Sequence, residues 1–320
     1  MKTGKIMNFY AKGLEKFAKT GHIRANELES QRKNNMMKTI TAMLSVLALS
    51  CTASAADLPF KPGDRIAFLG DSITQNGVKN KLGYVNLVME GIKASGINAE
   101  MIPAGVSGNT CVHMIKRLDK DVIKKKPDWM FLSCGVNDAP NGIDNPGVPL
   151  ELYKKNITTI IEKCQQAEIK VIVLTATPVL EDPSHISNKN LIPYNEFLRA
   201  IAKEKNLPLI DLNKRVNAVI ETKADKKSLW LTIDGTHMSP YGDILLAYTI
   251  LQQLGIDKTL LHNCIGKWMA LPDGWTVKAN LGLSVNEMEL LRKNLPAGKT
   301  VNEWINEQIR KDISELEKKD

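Results

Sequence analysis

Asp234-Gly235-Thr236-His237 places a carboxylate and an imidazole three residues apart, and Gly70-Asp71-Ser72 offers a hydroxyl far upstream for them to act on. An imidazole beside a serine oxygen takes up its proton, a carboxylate behind the ring stabilises the imidazolium, and the freed oxygen attacks an acyl carbon. The chain order Ser72, Asp234, His237 is compatible with acyl transfer, because such a constellation is defined by geometry and roles, not by sequence position. Acyl transfer also needs donors for the negative oxygen of the tetrahedral intermediate. Two further stretches could supply them. The small-residue turn Gly105-Val106-Ser107-Gly108-Asn109-Thr110 can aim a backbone N–H. In Gly135-Val136-Asn137-Asp138, the Asn137 side chain brings two N–H donors.

The elements that must position these residues are legible as apolar runs alternating with amphipathic stretches, a βα rhythm that favours a parallel sheet. Strands are expected at Arg65–Leu69, Asn98–Ile102, Trp129–Ser133, Lys170–Thr175 and Pro208–Ile210. Helices are expected at Tyr84–Ala94, Val112–Lys125, Leu150–Ala167, Tyr194–Lys205, Leu212–Thr222 and Pro240–Leu254. Five strands with connecting helices give an α/β fold, a three-layer, flavodoxin-like parallel sheet, and the motifs fall at the strand ends where such sheets place their sites. Two loops exceed what connection requires, Ala139 to Pro149 and Pro178 to Pro193, and both are expected to flank the site and shape substrate choice. His113 and His185 read as hydrogen-bonded or solvated imidazoles.

Taken singly, each motif also reads as a turn or a helix cap; the ordered set of four does not. The set resembles the GDSL/SGNH hydrolase family: Gly70-Asp71-Ser72-Ile73, then Gly108, then Gly135-Val136-Asn137-Asp138, then Asp234-Gly235-Thr236-His237. Ile73 stands where leucine is usual, a volume-conserving exchange. The resemblance covers about residues 61 to 261. It implies that Ser72 is the nucleophile, that the Ser72 and Gly108 amides and Asn137 form an oxyanion hole, and that His237 oriented by Asp234 is the base. No cofactor is expected for such chemistry.

The 320 residues carry a net charge of +8. Nine Lys/Arg against three Asp/Glu lie within the first 55 residues, so the body is nearly neutral and the charge argues for no nucleic-acid partner. That leader contains Met36-Met37-Lys38, an apolar segment from Thr39 to Ser50 and Ala53-Ser54-Ala55 before Ala56, the pattern of a secretory signal. Its apolar core is too short to span a bilayer. Residues 1–35 are expected to be a mis-called leader with translation starting at Met36 or Met37, residues 36–55 a signal peptide, 56–262 the hydrolase domain and 263–320 a helical extension. An exported, secreted or periplasmic protein follows, with lipid anchoring at Cys51 as the variant, although Ala48 replaces the lipobox leucine. Cys111, Cys134, Cys164 and Cys264 have no metal-site spacing, and Cys134 and Cys164 read as small buried thiols.

In the extension, Ser284 with Glu287 and Thr300 with Glu303 have capping-box spacing, the second before a helix with Trp304, Ile305 and Ile309 on one face. It reads as a helical appendage, packed on the core or dimer-forming, with carbohydrate binding through Trp268 and Trp275 as the alternative. The oligomeric state is not readable. The expected activity is hydrolysis of small acyl esters on a small molecule or glycan, with acetyl groups on a carbohydrate as the first reading. The alternatives are a lipid esterase or thioesterase of the same fold, and a non-catalytic module in which Gly70 to Gly77 cradles a phosphate.

Overall fold

The computed structural model describes residues 58–141, 145–222 and 229–271, and near the end of the chain 295, 296, 298–300, 303 and 307. The leader, the signal-like segment, Pro272, Gly274, Trp275, Trp304 and the Ser284–Glu287 pair lie outside the described residues. The chain divides into two units, residues 1–275 and 276–320. In the second, Thr300 and Glu303 cap one another: the Thr300 N–H donates to Glu303 Oε2 at 2.7 Å and the Glu303 N–H to Thr300 Oγ1 at 3.3 Å.

The first unit is a three-layer α/β sandwich around a five-stranded parallel sheet of order β2-β1-β3-β4-β5. The strands are β1 (Arg65–Gly70), β2 (Glu100–Gly105), β3 (Trp129–Ser133), β4 (Lys170–Leu174) and β5 (Leu209–Ile210). This is the flavodoxin-like order, and its carboxyl edge is where such sheets bind ligands. The central strands are buried on both faces, which is why they read as continuous apolar runs. Ile66, Phe68 and Phe131 point to one face, under α2 (Tyr84–Ala94), α6 (Leu212–Thr222), α7 (Pro240–Gln253) and α8 (Lys258–Met269). Ala67, Leu69 and Leu132 point to the other, under α3 (Cys111–Asp121), α4 (Leu150–Gln166) and α5 (Ile186–Glu204).

Three departures from expectation have physical reasons. First, β2 continues past Ile102 through Pro103 to Gly105; it is an edge strand, where a missing N–H costs no ladder bond. Second, α5 begins at Ile186 and passes through Pro193, which halves the expected loop; His185 caps it by accepting the Ser187 N–H at 3.3 Å. Third, an additional short helix, α1 (Ser72–Lys79), follows β1 directly. Asp71 caps it by accepting the Ile73 N–H at 2.9 Å, and Gly105 lets it lie on β2, since a Cβ there would stand 2.4 Å from the Gln75 nitrogen. Helix α8 runs across residues 262 and 263. Trp268, named above as a candidate carbohydrate contact, is fully buried in the core with its indole N–H donated to Glu90 at 3.0 Å, so it offers no surface for a carbohydrate.

Candidate active site

Strand register brings the first three motifs together. Gly70 pairs with Gly105 and Leu69 with Leu132, so the turns that follow β1, β2 and β3 emerge side by side. Ser72 is the first residue of α1, and its N–H is one of the four in that helix that no intrahelical carbonyl can accept. Arg117 on α3 binds this corner together. Its guanidinium donates to the Gly70 carbonyl at 2.9 Å, the Ala104 carbonyl at 2.8 Å and the Asn109 side chain at 2.7 Å. Gly108 sits at the exposed tip of the second turn with φ +73°, a conformation that favours glycine. Asn137 reaches across and donates one amide N–H to the Asn109 carbonyl at 3.1 Å, which fixes the plane of the amide.

Asp138, the residue after Asn137, is a tether. It is wholly buried, accepts the Cys111 N–H at 2.8 Å and takes the Cys134 thiol at 3.2 Å, tying the start of α3 to the turn after β3. Burial pushes its carboxyl, and the Cys134 thiol, upward. Burial likewise raises Asp71, to about 6. All four cysteines described are buried and free.

The fourth motif arrives from beyond β5. A bridge between Thr232 and Met238, with the Ile233 N–H donated to the His237 carbonyl at 2.9 Å, closes a loop whose tip is Asp234-Gly235-Thr236. Ser239 then caps α7 through the Gly242 N–H. Asp234 uses both oxygens. Oδ1 accepts the N–H groups of Thr236 and His237 at 2.9 and 2.8 Å, and Oδ2 lies 2.6 Å from His237 Nδ1. Burial opposes ionisation of Asp234, but these hydrogen bonds outweigh it and hold the carboxyl below its ordinary value. A carboxylate only accepts, so Nδ1 carries the proton. Nε2 is therefore an acceptor, and it stands 2.8 Å from Ser72 Oγ, which donates to it.

These groups open onto one cleft of about 370 Å³. Its walls include Ser72, Gly108, Asn137, Asp234 and His237, so every residue expected at the site is brought together. Ser107, Asn141, Asn145 and Thr236 add polar walls, and Val136 is the apolar contribution. The loop after β3 thus does line the cleft. The shortened loop after β4 lines none of it and instead holds the Asp234–His237 segment. His113 accepts the Thr110 N–H at 3.2 Å, as a hydrogen-bonded imidazole.

A model of the GDSL-like lipase/acylhydrolase family matches residues 68–243, more than half of the chain, from β1 into α7. The chain belongs to that family. It is an ester hydrolase of the SGNH fold. An acetylxylan esterase of Geobacillus stearothermophilus is 26% identical over 212 residues, covering 61% of this chain and 95% of that protein. The crystal structure of the acetyl xylan esterase AlAXEase is 31% identical, with a TM-score of 0.55, and covers 59% of this chain and 98% of its own. A catalytic mutant of Axe2, an acetylxylan esterase of Geobacillus stearothermophilus in which a histidine is replaced by alanine, is 25% identical with a TM-score of 0.56, over 62% and 97% of the two chains.

Proposed function

We propose that this protein is an exported serine esterase that removes acetyl groups from a carbohydrate through Ser72, His237 and Asp234. The observation that carries the reading is the unbroken chain Ser72 Oγ to His237 Nε2 at 2.8 Å and His237 Nδ1 to Asp234 Oδ2 at 2.6 Å. In this reading His237 takes the Ser72 proton as Oγ attacks the acyl carbon, and the imidazolium is stabilised by Asp234. The negative oxygen is met by the Ser72 and Gly108 backbone N–H groups and by the Asn137 amide N–H left over from its bond to Asn109. Collapse expels the sugar hydroxyl, protonated by His237. Water activated by the same imidazole then releases acetate and restores Ser72.

Two features favour a small acyl group on a polar alcohol over a lipid. The cleft walls are rich in hydroxyl and amide groups, which suit a sugar, and among the described residues no extended apolar wall adjoins Ser72 to take a long chain. The relatives named above are acetylxylan esterases. Export rests on the signal-like segment between Met37 and Ala55, and N-terminal sequencing of native protein should find a start near Ala56 or Asp57. Retention of residues 9–24 would refute it. The central test is covalent labelling of Ser72 by a fluorophosphonate, followed by turnover of acetylated xylooligosaccharides against p-nitrophenyl esters of increasing chain length. Faster turnover of long-chain esters than of acetyl esters would replace the carbohydrate reading with a lipid esterase.

A further inference from the structure

The Asp234–His237 loop is the one part of the site that does not grow directly from the end of a strand, so something else must set its height above Ser72. Its internal bonds fix its shape. Leu231 and Met238 anchor it in the core. A third anchor comes from the loop after β4. Glu181 is buried, at 4% exposure, and Oε1 of its carboxylate accepts three successive backbone N–H groups: Trp230 at 2.9 Å, Leu231 at 2.7 Å and Thr232 at 2.8 Å. It also takes the Thr232 hydroxyl at 2.9 Å, and Oε2 accepts Trp230 N–H at 3.1 Å. Successive N–H groups converging in this way form a concave anion site, which here is filled by a side chain of the same molecule. The neighbouring residue works on the other side of the tip, where the Leu180 N–H donates to the Gly235 carbonyl.

The backbone bears the mark of this arrangement. Leu180 and Glu181 have φ +58° and +48°, two consecutive non-glycine residues in the left-handed region. Such conformations persist only where the surroundings over-determine them. Asn188 of α5 does so here, accepting the Val179 N–H at 2.8 Å and donating to the Val179 and Asp182 carbonyls, both at 2.7 Å. A continuous path therefore runs from α5 through residues 179–182 and the Glu181 carboxylate to the three N–H groups, and two residues later reaches Asp234.

We propose that Glu181 is a positioning residue, whose carboxylate sets the height of the loop so that His237 comes within proton-transfer distance of Ser72. The inference rests on the reading of Ser72 and His237 as nucleophile and base. Glu181→Gln keeps the size of the side chain but removes its charge and turns an NH₂ towards one of the N–H groups. A displacement of the base by a fraction of an ångström to one ångström is expected to lower kcat by roughly 10- to 100-fold. KM should change little, because Glu181 does not line the cleft. Fluorophosphonate labelling of Ser72 should slow by a similar factor, and the low-field proton signal of the His237–Asp234 hydrogen bond should shift or broaden. Trp268→Phe, remote in the core, serves as a control that loses stability and keeps kcat. Glu181→Ala is expected to be the more severe change; should it fail to fold, Glu181→Gln carries the test. A folded Glu181→Gln enzyme with parental kcat, labelling rate and proton signal would overturn the proposal. A parent enzyme whose Ser72 resists labelling would instead overturn the reading beneath it, and the proposal with it.

Discussion

Replacing Asp234 by asparagine tests the proposed chemistry most sharply, because the structure fixes which way the amide must turn. The Asp234 Oδ1 position accepts two backbone N–H groups, at 2.9 and 2.8 Å, and Oδ2 faces His237 Nδ1 at 2.6 Å. Asparagine has one oxygen. Placed at the Oδ1 position, that oxygen preserves both backbone bonds and the loop, but it points the NH₂ at Nδ1. Turned the other way, it sets the NH₂ against two N–H donors. The first arrangement keeps two bonds at the cost of one, so it wins. His237 must then accept at Nδ1 and carry its proton on Nε2, where it can no longer take one from Ser72. The expected loss in kcat is up to about 10⁴-fold, which corresponds to roughly 5 kcal/mol of transition-state stabilisation. Stability should fall by only about 1 kcal/mol, the net worth of one exchanged hydrogen bond. Initial rates with p-nitrophenyl acetate measure the first quantity and denaturant titration the second. An Asp234→Asn enzyme within about tenfold of the parent would refute the tautomer argument.

Three further outcomes are expected. Asn137→Ala removes the donor proposed to meet the developing negative charge and should lower kcat by about 10² to 10³ with little change in KM; a rise in KM alone would mean that Asn137 binds substrate rather than the transition state. Asp243 is buried in α7, accepts the Tyr84 N–H at 2.9 Å, and desolvation raises it from an ordinary 3.8 to about 7. Its folded-state value lies above its unfolded one, so it leaves stability untouched in acid and costs up to about 4 kcal/mol once the pH has risen past 7. Asp243→Asn should therefore be more stable than the parent near pH 8 and closely matched near pH 4 in urea titrations, and equal destabilisation at both would refute this. Ending the chain at Leu261 strips Cys264 and Trp268 from the core, and removal of the tryptophan alone costs about 3 to 5 kcal/mol. A melting temperature equal to that of the full chain would refute that account.

The fold was legible wherever burial on both faces left continuous apolar runs, as in β1 and β3, and wherever one apolar stripe marked a helix, as in α2 and α6. It was less legible where tertiary contacts override local preference. Nothing in Ser72–Lys79 signals a helix, since Gly77 interrupts it and its stability comes from the Asp71 cap and the close approach to β2. Pro103 and Pro193 lie just outside the expected strand and helix, yet an edge strand and a helix absorb them. The site residues themselves could be nominated, because serine, asparagine, aspartate and histidine at strand ends advertise chemistry. The residues that hold them could not. Arg117, Asp138 and Glu181 look in the sequence like ordinary surface charges, and only the folded chain shows them spending their hydrogen bonds on backbone groups around the cleft.

Ser72 and His237 are 165 residues apart, one at the end of the first strand and the other beyond the last. Asp234 and His237, by contrast, share a single tight loop and find each other without help from the rest of the fold. Only one distance in the proposed relay has to be set by the whole chain, and four of the five strands lie in the sequence between its two ends. Turnover is therefore a gauge of completed folding. A chain that has formed its sheet but not yet seated the loop would give native-like circular dichroism and remain silent in an ester assay. The lag between the two signals would time the closing of this clasp.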